Sequence, residues 1–206
     1  TDRSKSTNHM ELFTFYGGNY SSYIDYNGKK RNIKEGSAHL LEHYVCENTV
    51  SGDLLDNLRK YNVLSCNAGT SAFNTNEKLN KTKYAVLNEI RDSQNNEGRR
   101  IADIRDRTLF SNCMDNLGSE DSINSITVND LKDIYDSIYV PCNQFLVVAG
   151  NFDYDIVLDK IRMFYNNMSF KCNKKLPKII DKRDIVSKYT TYECNLLEHR
   201  VLYLVF

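Results

Sequence analysis

The sequence predicts an α+β fold, a two-layer sandwich in which a mixed, largely antiparallel sheet packs against helices. Three observations carry that expectation. β-favouring runs such as MELFTFY (residues 10–16) and NQFLVVAG (143–150) are separated by stretches whose apolar residues recur every three or four positions. Some strands follow one another closely enough to pair antiparallel. No internal repeat or linker divides the 206 residues, a length that suits one domain with a sizeable core.

The elements follow in order. MELFTFY reads as a strand, and the Gly-, Asn-, Ser- and Tyr-rich stretch 17–36 as a long loop. Helical spacing begins at Ser37 and places Leu40, Leu41, Tyr44 and Val45 on one face. A second helix is expected over 51–61, capped by Ser51 or Asp53, with Leu54, Leu55, Leu58 and Tyr61 apolar. Residues 62–75 mix β-favouring and small side chains around Gly69 and read as an edge strand. Residues 78–96 form a helix with Tyr84, Val86, Leu87 and Ile90 as its apolar positions, and 101–110 continue as another. Residues 113–125 read as a loop. Thr127-x-x-Asp130 then opens a helix carrying Leu131, Ile134, Tyr135 and Ile138, which Pro141 stops. NQFLVVAG is expected to be a buried strand, 151–168 a turn and helix, and 188–195 with 199–206 the closing strands.

Bulk composition excludes several functions. Twenty-seven basic and 27 acidic side chains balance, with no basic stripe, so a nucleic-acid partner is not expected. No eighteen apolar residues run together, so no membrane-spanning helix is expected. Six cysteines at wide intervals, without a CxxC pair, read as reduced structural thiols. No secretory signal is visible in TDRSKSTNHM, which a missing true N-terminus would also explain, and the expected location is cytoplasmic. VLYLVF ends the chain on an apolar strand-like run that wants a neighbour, so the chain is expected to be an N-terminal part of a longer protein.

The chemistry concentrates in GSAHLLEHYVCENT (36–49). On a helix, His39, Glu42 and His43 at i, i+3 and i+4 share a face. Two imidazoles one turn apart can chelate Zn²⁺, and a carboxylate between them can take a proton from the water in the open position. The pentapeptide alone also fits a solvated helix face. Against that, Leu40 and Leu41 bury one side of the helix and leave the three polar residues together on the other. His-x-x-Glu-His is the inverted order of a peptidase signature.

Four stretches in order resemble the pitrilysin/insulinase family of zinc peptidases: GSAHLLEHYVCENT, NAGTSAF (67–73), YAVLNEI (84–90), and the run from Ile126 through Tyr139-Val140-Pro141-Cys142-Asn143 to the Gly150-Asn151-Phe152-Asp153 corner. The resemblance runs from about residue 10 to the C-terminus with gaps. It implies zinc held by His39, His43 and Glu89, with Glu42 as general base. It places Glu89 ahead of Glu97 and Glu120, which fall in loop-like contexts. The alternative for Glu89 is an ion pair with Arg91 or Lys83. Asn67, Ala68, Gly69 and Thr70 would bind an extended peptide added to the 64–73 edge. Domains of this kind face a second homologous half, in the same chain or a partner subunit.

Two departures accompany the resemblance. The interval from His43 to Glu89 is short by on the order of thirty residues, which points to a segment lacking near 76–80. Thr82 stands one helical repeat before Glu89, where the family often has a second Glu that supports the metal. The expected activity is that of a zinc endopeptidase. The competing reading is a catalytically weak peptide-binding or assembly subunit. His9 and His199 lack partners at ligand spacing and read as a loop residue and a strand-face residue.

Overall fold

The structure, a computed structural model, describes residues 8–25, 27–47, 76–166 and 178–181. The helix expected over 51–61, the strand containing Asn67, Ala68, Gly69 and Thr70, and the closing strands with His199 lie outside the described residues. Within them the fold is α+β, as expected, and the described strands pair antiparallel in a two-stranded and a three-stranded sheet.

Strand β1 (His9–Thr14) pairs with β4 (Gln144–Ala149) from His9 opposite Ala149 to Thr14 opposite Gln144. Phe13 and Phe145 stack across this pair with ring centroids 4.6 Å apart. His9 belongs to the strand, not a loop, and its Nε2 lies 2.9 Å from Glu11. β4 is not buried as expected: its burial alternates along the strand, and Phe145 and Val147 are exposed on one face.

The stretch 17–36 is not simply a loop. It holds β2 (Tyr20–Ile24) and β3 (Lys30–Asn32), which pair with each other, and β5 (Lys178–Asp181) lies on the other side of β2. The turn between β2 and β3 is organised by Asp25, whose Oδ1 accepts from the backbone N–H groups of Asn27 and Lys29. Gly28 has φ +77°, the left-handed backbone for which Asn-Gly is the usual turn chemistry.

Helix α1 (Ser37–Glu47) and α2 (Asn76–Gln94) pack side by side. Leu40, Leu41, Tyr44 and Val45 are buried as the periodicity requires. Burying each such side chain contributes about 1.5–3 kcal/mol, so this face fixes the rotation of α1 about its axis. On α2 the buried positions are Leu79, Thr82, Val86 and Ile90, whereas Tyr84 faces solvent. Helix α3 (Glu97–Leu109) is capped by Asn96. Residues 113–125, expected as a loop, contain α4 (Glu120–Ser125), capped by Ser119. Glu97 and Glu120 therefore each stand in a first helical turn, not in loops.

Helix α5 (Val128–Ile138) begins with a full Thr127–Asp130 capping box and buries Leu131, Ile134 and Ile138. It ends at Tyr139, and a short 3₁₀ turn, Pro141–Asn143, leads into β4. Buried Asn143 holds that corner by donating to the Ile138 and Phe15 carbonyls. Tyr23 of β2 donates its hydroxyl to the Asp133 carbonyl of α5 at 3.1 Å, linking the three-stranded sheet to the helices. Helix α6 (Tyr154–Asn166) follows, with Asp153 accepting from the N–H groups of Asp155 and Ile156. Cys46 and Cys113 carry reduced thiols, but Cys142 is disulfide-bonded, which corrects the reading of all six cysteines as reduced thiols.

Candidate metal centre

The site is built on α1. Its N-terminus is fixed by close backbone contact between Gly36 (φ +77°) and Gly118 (φ +82°), where a Cβ on either residue would collide with the other's backbone. Gly118 thus serves to seat the helix. With the Leu40, Leu41, Tyr44 and Val45 face in the core, the opposite face presents His39, Glu42 and His43. The two imidazoles are 20% and 25% exposed and lie edge to face with centroids 4.7 Å apart.

Glu89 on α2 meets this pair. Its Oε2 lies 2.9 Å from His39 Nε2 and its Oε1 3.4 Å from His43 Nε2. The alternative partners are engaged elsewhere: Arg91 Nε donates to Glu120 at 3.0 Å and Lys83 Nζ to the Asn124 carbonyl at 2.8 Å. The short interval from His43 does not keep Glu89 from the histidines. Among the described residues, His39, His43 and Glu89 each offer a ligand atom within 4.8 Å of the others. Ligand atoms about 2.0–2.1 Å from a tetrahedral ion stand roughly 3.3 Å apart, so the two His–Glu separations bracket the spacing a zinc ion needs. A donor set of two imidazole nitrogens and one carboxylate, with a position left open, is that of a catalytic zinc site.

Glu42 is 51% exposed on the same face, its Oε2 4.0 Å from His39 Nδ1. Beside His39 and Glu42 opens a recess of about 360 Å³, whose lining includes Tyr16, Ala38, Val45 and Tyr139. Burial pushes the Tyr139 hydroxyl well above the usual phenol range and the charge of Glu42 adds to it, so Tyr139 is a neutral wall of this recess.

Sequence reasoning missed Glu47. It sits one turn after His43 on α1, with Oε1 3.9 Å from His43 Nδ1, an ion-pair separation longer than a direct hydrogen bond. Its other oxygen accepts the hydroxyl proton of Thr82 at 2.9 Å. The Glu47 carboxylate raises the pKa of His43 against the opposing effect of burial, and Glu89 and Glu42 raise it further. In return His43 holds the Glu47 carboxyl below its ordinary range, with Thr82 assisting against burial. The i+4 spacing from His43 was the available signal.

No protein-family profile and no curated protein matches the sequence. Solved structures do. A protein of Alicyclobacillus acidocaldarius, provisionally described as an M16-like peptidase, superposes with a TM-score of 0.70 at 22% identity over 86% of this chain and 48% of its own. A protease from Helicobacter pylori gives 0.66 at 15% identity, over 86% and 49%. The first half of the periplasmic protease PqqL from Escherichia coli gives 0.61 at 15%, over 83% and 44%. The chain spans about half the length of the first two of these proteins. The chain thus shares its fold with about half of each of two proteins described as an M16-like peptidase and a protease.

Proposed function

We propose that this chain is the zinc-binding half of an endopeptidase that hydrolyses extended peptides. The observation that carries the reading is the placement of Glu89 against the Nε2 atoms of both His39 and His43, with Glu42 open to solvent on the same face. His39, His43 and Glu89 hold the ion. Bound there, zinc supplies Lewis acidity, lowering the pKa of a water and polarising the scissile carbonyl. Glu42 accepts the proton of the attacking water and returns it to the departing amine. The recess beside Glu42, with Tyr16, Ala38, Val45 and Tyr139 among its walls, receives a substrate side chain. A second homologous half, in the same polypeptide or a partner subunit, completes the chamber. The half-length match to the solved peptidases supports this.

The test compares wild type with Glu42→Gln in the protein containing both halves, measuring zinc content and cleavage of unstructured peptides. Retained zinc with hydrolysis reduced by about 10²–10⁴-fold is the expected result. Zinc bound by wild type with no turnover overturns the enzyme reading in favour of a peptide-binding or assembly subunit.

A further inference from the structure

We infer that Glu47, anchored by Thr82, is the positioning residue for His43, setting which ring nitrogen faces the metal. The inference rests on the zinc reading above and goes beyond it by assigning residues that touch neither metal nor substrate. An imidazole binds a cation through one nitrogen only if the other carries the proton, and a carboxylate beside that second nitrogen fixes both tautomer and ring plane. His43 has this arrangement: Nε2 faces Glu89 and the proposed ion, while Nδ1 faces Glu47. The 3.9 Å between Glu47 Oε1 and His43 Nδ1 is an ion-pair separation, at which the carboxylate favours a proton on that nitrogen.

A glutamate one turn along the same helix has several rotamers, so proximity alone does not aim it. Thr82 supplies the aim. It is wholly buried on α2, and its β-branched side chain holds a restricted χ1. Its single hydroxyl proton can serve either Glu47 Oε2 at 2.9 Å or the Lys78 carbonyl at 3.2 Å. The shorter, charge-assisted bond is the stronger. The carboxylate is thereby clamped between α1 and α2, the two helices that deliver the three ligands. Among the described residues His39 has no equivalent: its Nδ1 looks toward Glu42, which is half exposed and is needed for proton transfer.

The test uses Glu47→Gln, Glu47→Leu, and Glu47→Leu combined with Thr82→Glu, which moves the carboxylate across the helix pair. Two quantities are measured. Zinc affinity comes from chelator competition, and the tautomer of His43 in the metal-free protein from imidazole nitrogen NMR. The expected result is an affinity loss on the order of 10–100-fold in both single variants, at circular dichroism and melting close to wild type. The His43 proton moves away from a fixed Nδ1 position, and the double variant recovers both readouts. Zinc affinity in Glu47→Leu within about twofold of wild type overturns the inference, as does an unchanged His43 tautomer. Failure of wild type to bind zinc overturns the metallopeptidase reading instead, and the tautomer measurement, made without metal, still decides the role of Glu47.

Discussion

Glu89 shows what one side chain decides at this site. It alone among the proposed ligands comes from outside α1, and both its oxygens face imidazole nitrogens. Glu89→Gln keeps the shape but removes the charge. Its zinc affinity, measured by chelator competition, is expected to fall by more than the about 10–100-fold typical of residues behind the ligands, with the helices intact. The shared face of His39, Glu42 and His43 was legible from spacing, since helical geometry leaves no freedom in how i, i+3 and i+4 project. Glu89 was a different matter. Nothing local to residues 83–91 separates a ligand from a partner of Arg91, and the answer depends on Glu120 drawing Arg91 away. Glu47 could be placed beside His43 from its i+4 spacing, but its contact with Thr82, 35 positions later, could not be read from the sequence.

Among the elements, α1 and α5 were readable because each combines a buried periodic face with a clear start or stop. The six-residue α4 is too short to display a period, and the β2–β3 hairpin hid in a polar stretch whose turn signal, Asn27-Gly28, was passed over. The Tyr84 and Thr82 exchange on α2 has another cause. Hydrophobicity alone favours Tyr84, but Thr82 is four residues before Val86 and so falls on the buried stripe with Leu79 and Ile90, while Tyr84 falls on the opposite side. Helix α5 also carries a pH-dependent cap. Burial pushes the Asp130 carboxyl up, but the Lys34 ammonium and the Thr127 hydroxyl and N–H outweigh it and hold the pKa below the ordinary value. A depressed folded-state pKa stabilises the protein above the ordinary carboxylate range and ceases to do so as pH falls through the folded value. Asp130→Asn is therefore expected to cost about 0.3–1.5 kcal/mol near neutrality. Urea denaturation should show the difference shrinking toward zero in acid.

At the scale of the whole molecule, one short helix belongs to two structures at once. Its Leu40, Leu41, Tyr44 and Val45 side lies in the central core, and its opposite side bears the histidines. Helix α2 is likewise shared, with Val86 and Ile90 inside and Glu89 at the site. Occupancy of the centre and cohesion of the domain are then linked by mass action. An ion that binds only the folded chain shifts the unfolding equilibrium by about 2.7 kcal/mol when its free concentration is a hundred times Kd. Calorimetry with added zinc should raise Tm, a strong chelator should lower it, and Glu89→Gln should melt at the same temperature in both. Scarcity of the ion would thus shorten the life of the protein itself as well as idle its chemistry, letting a protease-rich surrounding clear the empty form first.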